Sequence, residues 1–217
     1  MGVATATTSF ISAPVIAPVQ YTVRVVSDSG PLAAVPVNFT HGGRTAMLDT
    51  DQSGVAVFGT FNDSATAVSV PEQIQPSEQT RYVFVGIGNS TGRAVNVTAS
   101  APVNLTARYA TYYQFRVVSP IGNTTGSGWY RSGTSATYSI DETSSGGPLV
   151  YQRFSGWTGS FSSDLTSGST VITSPGFITA QWSTDSSLLF AAVGAALAGA
   201  AVVGLFVFRL RRKFPPS

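Results

Sequence analysis

The feature that most constrains this chain is an uninterrupted apolar segment near its C-terminus. Residues Leu188 to Phe208 form a run of 21 positions without a charge or a strong hydrogen-bonding side chain. At about 1.5 Å per residue this run makes a helix of roughly 31 Å, which matches a bilayer hydrocarbon core of about 30 Å. A core helix of a soluble protein would carry polar residues on one face. We therefore predict one transmembrane helix within residues 185–208, followed by a basic tail at 209–217.

The charges beside this segment predict its orientation. The cluster from Arg209 to Lys213 follows the apolar run, and Asp185 precedes it. The positive-inside rule then places the C-terminus in the cytoplasm and the body outside, with the tail against membrane lipid. Residues 1–19, assigned as an N-terminal extension, lack the basic and apolar regions of a signal peptide. Either a signal peptide is missing from this sequence, or the protein is tail-anchored with a cytosolic body.

Every asparagine in the chain lies in an N-glycosylation sequon, Asn-x-Ser/Thr with a middle residue other than proline. Serine and threonine make up about a quarter of the chain, so chance would give one or two matches among six asparagines. The complete set favours a body outside the cell, in agreement with the basic tail. The predicted glycosylation sites are Asn38, Asn62, Asn89, Asn96, Asn104 and Asn123.

The composition argues against several classes of function. The chain has no cysteine and one histidine, His41, so we expect neither a disulfide framework nor a multi-histidine metal site. Residues 1–187 carry eight arginines and ten acids, a formal charge of −2, which does not suit a nucleic-acid partner. No base is placed to activate a serine nucleophile, and no carboxylate pair falls in a recognisable motif. We therefore predict a protein that is not an enzyme and that holds no cofactor and no metal.

The body contains an internal repeat. The ten residues from Tyr21 match the ten from Tyr113 at six positions, with an offset of 92. Residues 102–111 align with residues 175–184, with an offset of 73 and four identical positions of ten. Such self-similarity indicates two related units. We assign the first domain to residues 20–111 and the second to residues 112–184.

Both units are predicted to be β-structure. Their segments alternate apolar and polar residues or are rich in β-branched and aromatic residues, and glycine and proline turns separate them. No convincing amphipathic helix precedes residue 188. The fold class is thus all-β, with two small related domains of sandwich or β-grasp type followed by a single transmembrane α-helix. Alternation also puts Asn96 and Asn104 on strand faces that meet solvent.

Five segments of the second unit carry a recognisable pattern, at residues 112–122, 126–130, 133–136, 154–159 and 178–182. With these segments, the unit resembles a divergent internalin-type B-repeat of archaeal-type cell-surface proteins. The first unit, at residues 30–39 and 50–58, is similar to the opening hairpins of Ig-like and carboxypeptidase-regulatory-like domains. It lacks the Gly-x-Gly-Trp-Tyr motif of the second unit.

The resemblance implies a place and an architecture, and it implies no reaction. Such modules occur in extracellular stalks, adhesins and surface-layer-associated proteins. The first hypothesis is therefore a glycosylated, membrane-anchored structural protein, with other surface-layer proteins as possible partners. The second hypothesis is an adhesin that binds a protein or a glycan. A third is the membrane-proximal end of a longer secreted hydrolase.

Three groups of residues are candidates for binding. The neighbours Trp129 and Tyr130 could form a platform for a sugar, although aromatic residues of small β domains are more often core. We expect Trp157 and Trp182 to be buried. Asp49 and Asp51 could bind calcium, but they lack the EF-hand pattern, and a polar hairpin turn is the better explanation.

The transmembrane segment carries small residues at every fourth position. This stripe consists of Ala192, Ala196, Ala200 and Gly204. Small residues at this spacing let two helix backbones approach closely in lipid, so the chain could associate with itself. The alternative is that alanine and glycine are simply frequent here.

Overall fold

The computed structural model describes residues 18–60, 65–141, 143–147 and 150–213. These residues form two compact units that divide between Tyr112 and Tyr113. The protein is all-β up to its last element, which is a helix. In the described part of the chain no helix precedes Ser187. The predicted fold class is therefore confirmed.

The elements follow one another without long connections. In chain order they are β1 (Val19–Ser27), β2 (Gly30–Pro31), β3 (Pro36–His41), β4 (Arg44–Asp49), β5 (Val55–Thr60), β6 (Ala65–Ser69), β7 (Gln73–Ser77), β8 (Thr80–Ile87), β9 (Ala94–Thr98), β10 (Val103–Val118), β11 (Thr124–Thr125), β12 (Gly128–Arg131), β13 (Ser135–Ile140), β14 (Thr143–Gly147), β15 (Val150–Gly159), β16 (Ser167–Val171), β17 (Gly176–Asp185) and α1 (Ser187–Lys213).

The first unit is a sandwich of two sheets around one core. One sheet contains β1, β2, β5, β7, β8 and the first half of β10, and the other has the order β4-β3-β6-β9. Alternation along the strands turns Val23 and Val25 of the first sheet toward Val37 and Phe39 of the second, and all four are fully buried. Phe39 stacks on Phe58 with 5.0 Å between ring centroids.

The second unit is a smaller sandwich. The second half of β10 lies with β12, β14, β15 and β17, and the facing sheet has the order β11-β13-β16. Trp157 is the largest fully buried side chain, at 1% exposure, and its Nε1 donates to the Leu165 carbonyl oxygen at 2.9 Å. The Tyr138 ring meets it edge to face at 5.6 Å. Trp157 is buried as predicted, whereas Trp182 is half-buried at the margin of this core.

In both units the first strand and the last strand pair with each other in parallel. In the first, β1 runs parallel to β10, with Tyr21 opposite Val103 and Val25 opposite Ala107. In the second, β10 runs parallel to β17, with Val117 opposite Ile178. By the sequence repeat, the pair Val25–Ala107 of the first unit corresponds to Val117 and Ala180 in the second. Val117 instead lies opposite Ile178, so the strand register of the second unit is shifted by two residues. Because strand side chains alternate, a shift of two preserves the inner face.

A second shared feature is an aromatic pair near the last strand of each unit. Phe84 meets Tyr109 edge to face at 5.7 Å, and Phe154 meets Trp182 in the same way at 6.1 Å. Beside these pairs, the buried Ile87 and Trp157 each form a bridge to a serine further along the chain. The sequence repeat is therefore also a structural repeat.

The strand β10 departs from the sequence prediction. The sequence repeat predicts a domain boundary between residues 111 and 112. The structure has one strand of 16 residues that passes through this point. Ala110, Thr111 and Tyr112 contain no turn former, so nothing interrupts the extended backbone there. Thr111 is completely buried.

The phenol of Tyr109 gives the first unit a pH dependence. Its Oη donates to the Pro71 carbonyl oxygen at 2.6 Å. Burial raises the pKa of this phenol above its usual value, and the positive charge of Arg93 opposes that shift. Above about pH 10 the unfolded chain releases the phenol proton while the folded chain keeps it. Folding stability contributed by this group is present below that pH and is lost as the pH rises.

We expect Tyr109→Phe to lower the unfolding free energy by about 1–2 kcal/mol at pH 7.5, since the Pro71 carbonyl loses its donor. The difference from wild type should shrink at pH 10.5. Urea unfolding of the full chain in micelles measures both values. Tyr151→Phe, at a tyrosine that is 39% exposed, is the control and should change neither. A difference that stays constant with pH would contradict the assignment to Tyr109.

Candidate functional site

The sequon asparagines lie on the surfaces of the two units. Asn96 of β9 is exposed, while Val95 and Val97 on either side turn inward and pack on the core. Asn104 of β10 is exposed and lies opposite Thr22 of β1. These two positions follow from strand alternation, which the sequence displays directly.

The other sequons differ in setting. Asn89 lies in the turn after β8 and Asn123 precedes β11, and both are exposed. Asn38 is half-buried in β3, where Met47 and Ser69 are its cross-strand neighbours. Asn62 lies outside the described residues. Four of the five described sequon asparagines are thus exposed. Their glycosylation stays a prediction.

One sheet face of the first unit carries two sequons. Asn38 and Asn96 both lie on the outer face of the sheet β4-β3-β6-β9, whose inner face holds Phe39 and Val68. The positions between them on this face are small: Ala67 is opposite Asn96, and Ser69 is opposite Asn38. A face of this kind has room for a bulky polar attachment.

The predicted aromatic platform is not assembled as expected. Tyr130 packs on the core of the second unit, 6.4 Å from the Phe115 ring, and its Oη donates to the Gly126 carbonyl oxygen at 2.9 Å. Trp129 is half-buried on the neighbouring position of β12. Because adjacent strand residues face opposite sides, the two rings do not form one surface. Tyr130 therefore packs on the core while Trp129 lies on the other side of β12, and ligand binding at this pair stays a prediction.

The paired aspartates have a structural explanation. Oδ1 of Asp51 accepts hydrogen bonds from the backbone N–H groups of Ser53 and Val55, both at 2.9 Å. This is the turn-forming use of an aspartate side chain. Asp49 is exposed at the end of β4. Among the described residues no group of three histidine, cysteine or acidic side chains could hold a metal ion.

The junction between the body and α1 is short and capped. Only Ser186 separates β17 from α1. Oδ1 of Asp185 accepts hydrogen bonds from the Ser187 N–H at 3.0 Å and from its Oγ at 2.6 Å, which lowers the pKa of this carboxyl. The other carboxyl oxygen lies 3.8 Å from Nη2 of Arg153. An acidic group at a helix N-terminus stabilises the first turn. Asp185 is the last residue of β17, and α1 begins two residues later.

The helix itself is long and apolar enough to cross a membrane. Its candidate span, Ser187–Arg209, has 23 residues and a mean hydropathy of 2.3, and none of it is buried inside the protein. The stripe of Ala192, Ala196, Ala200 and Gly204 is exposed along this span. Association through that stripe stays a prediction.

Sequence reasoning missed one exposed surface of the second unit. Phe177 of β17 and Val118 of β10 are 56% and 40% exposed. Both alternate with the buried residues Val117 and Ile178, so strand alternation directs them outward. The signal was available, but it was used only to find the core.

The fold and these surfaces define an all-β protein with two sandwich units and one C-terminal helix apolar enough to span a membrane. No protein-family model matches the chain, and no curated protein matches it. A DUF3823 family protein from Parabacteroides merdae is 12% identical, covering 77% of this chain and 80% of its own, with a TM-score of 0.31. The Bacillus anthracis TIE protein is 10% identical, covering 75% of this chain and 33% of its own, with a TM-score of 0.34. Likeness at this level carries no argument about function.

Proposed function

We propose that the chain is a glycosylated, membrane-anchored structural protein of the cell surface, with its β body outside and its basic tail in the cytoplasm. The observation that carries this proposal is the exposure of four sequon asparagines on a body that precedes a membrane-length helix. Exposed sequons are where a glycan can be attached without disturbing the core. The cluster from Arg209 to Lys213 supports the orientation.

The resemblance of the second unit to B-repeats supports a role as a stalk or a surface-layer-associated module. In this proposal the partners are membrane lipid, other surface-layer proteins and a second copy of the helix, and nucleic acid is not one of them. We propose no reaction. His41 Nδ1 lies 3.2 Å from Thr66 Oγ1 at the end of β3, and neither residue adjoins an acid in the described structure that could complete a relay.

Protease added to intact cells that express the full chain tests the orientation. We expect the body to be removed and a tag placed after Ser217 to be spared, because the membrane shields the tail. Cells that are lysed first are the control, and there the tag should be lost as well. A body that resists the protease until lysis would overturn the proposal in favour of a tail-anchored protein.

Attachment of glycan is read separately, by electrophoretic mobility. Asn104→Gln and Thr106→Ala remove the same sequon by different changes, so each should abolish the same single mobility shift. Thr22→Ala alters the neighbour of Asn104 but keeps the sequon, and it should leave the mobility unchanged.

A further inference from the structure

The outer face of the larger sheet of the second unit carries an unusual group of side chains. We call it the outer strip, and it consists of Arg116, Val118, Thr158, Phe177, Thr179 and Gln181. Phe177 and Val118 are exposed apolar residues on neighbouring strands. Arg116 lies directly opposite Phe177, and Val118 lies opposite Thr179. An aromatic ring, an arginine and an aliphatic side chain therefore share one patch.

The strip offers a positive charge that the protein does not use internally. The Arg116 side chain is exposed and makes no ion pair or hydrogen bond with any described residue. None of the six strip residues is acidic. Asp164 lines a depression with Thr158 and Gln181, and Arg116 is not part of that depression. The guanidinium group presents a planar fork of donors that matches a carboxylate, and such charge-assisted hydrogen bonds are among the stronger ones. The chemistry of the strip thus complements an anion.

Polar side chains continue the patch on its other side. Gln181 Nε2 donates to Thr158 Oγ1 at 3.0 Å, and Thr158 in turn lies opposite Thr179. This contact holds an amide and a hydroxyl group in place beside the apolar pair. Groups of this kind bind the hydroxyl groups of a sugar, while the Phe177 ring offers an apolar surface to the carbon face of a pyranose.

The internal repeat adds an independent observation. Two outward positions of the strip are identical in the first unit, where Arg24 and Val26 of β1 correspond to Arg116 and Val118. Arg24, like Arg116, is exposed. Packing in the core explains why inward-facing residues are identical in the two units. It does not require identical residues at positions that face solvent.

The shape of the strip decides between kinds of ligand. It lies on an open sheet face, and only its polar end, at Thr158 and Gln181, borders an open depression, whereas small-molecule sites are enclosed and concave. Two apolar side chains are too few for the core of a standard protein interface, which buries about 800 Å² on each partner. Three strands span about 10 Å across, and the run from Phe177 to Gln181 extends about 13 Å. A narrow, open surface of this length suits an extended polymer.

We propose that the outer strip binds an anionic polysaccharide, with Arg116 pairing with its carboxylate groups and Phe177 stacking on its sugar rings. The proposal rests on the proposed function, because only a body outside the cell meets such a polymer. It deepens that function by naming a ligand class and the residues that bind it.

Binding of the purified full chain in detergent micelles to immobilised polygalacturonate tests the proposal. Fully methyl-esterified polygalacturonate is the matched neutral polymer. We expect binding to the acid form and at least about tenfold weaker binding to the ester, as one lost charge-assisted hydrogen bond would give. Arg116→Gln and Phe177→Ser should each weaken binding to the acid form by about tenfold as well. Unfolding temperatures measured alongside verify that both variants are folded.

Arg44→Gln is the matched control, because it makes the same change of charge at an exposed arginine of the first unit. It should alter binding less than twofold. Equal losses in the Arg44 and Arg116 variants would overturn the proposal by showing that net charge alone is responsible. Equal binding to the ester, or equally strong binding to polyglutamate, would overturn it by showing that the strip does not recognise an acidic sugar. The purified chain has no membrane sidedness, so a wrong topology would appear only in the protease experiment.

Discussion

Trp157→Ala should destabilise the second unit by about 3–5 kcal/mol, the usual cost of removing a buried tryptophan. The change would leave a cavity beside Tyr138 and Phe154, whose ring centroids lie 5.6 Å and 5.4 Å from that of Trp157. It would also leave the Leu165 carbonyl without its donor. Because the unfolding free energy of a small domain is about 5–15 kcal/mol, this variant should approach or pass the limit of folding. Urea unfolding followed by circular dichroism measures the loss.

The variant Trp157→Phe separates the two contributions. It keeps an aromatic ring in the core but removes the hydrogen bond to Leu165, and it should cost about half as much. A loss below about 1 kcal/mol for Trp157→Ala would contradict the central position of this residue in the core.

Gly126→Ala should strongly destabilise the second unit. Gly126 has φ of +101°, which alanine rarely adopts, and an added Cβ would collide with the Thr137 carbonyl oxygen and lie 2.9 Å from Tyr138 Cα. Both contacts are backbone atoms of β13, which cannot move without breaking strand pairing. We expect a loss of about 3 kcal/mol or more, measured by the same unfolding assay.

Gly133→Ala is the matched control for that prediction. Its φ is +81°, but no atom lies within 4 Å of an added Cβ. It should therefore show only the cost of the backbone conformation, about 1–2 kcal/mol. Equal losses in the two variants would show that the collision with β13 does not contribute.

The sequence predicted the faces of strands better than their ends. Alternation identified Asn96 and Asn104 as outward, because a two-residue period is visible in any strand with one buried face. It did not reveal how deeply a residue lies, so Trp182 was expected in the core and is at its margin. The sequence also did not reveal which face of the short strand β12 is buried, because Trp129 and Tyr130 are adjacent aromatic residues and either could face inward.

The repeat predicted two related units but not the course of the chain between them. Repeat boundaries mark where similarity ends, and this point fell inside β10. The outer strip was missed for another reason. Its members come from β10, β15 and β17, which are far apart in the sequence, and the order of these strands in the sheet is not visible in any local pattern.

The parallel pairing of the entering and leaving strands bears on how each unit carries a pull along the chain. The chain enters the first unit through β1 and leaves through β10, and these strands are paired over seven positions. It enters the second through β10 and leaves through β17, which are paired over four. Tension on parallel neighbours draws them past each other lengthwise, across the hydrogen bonds between them. The force is then shared by all hydrogen bonds between the two paired strands. Neither unit can therefore be opened from its ends by breaking these hydrogen bonds one at a time.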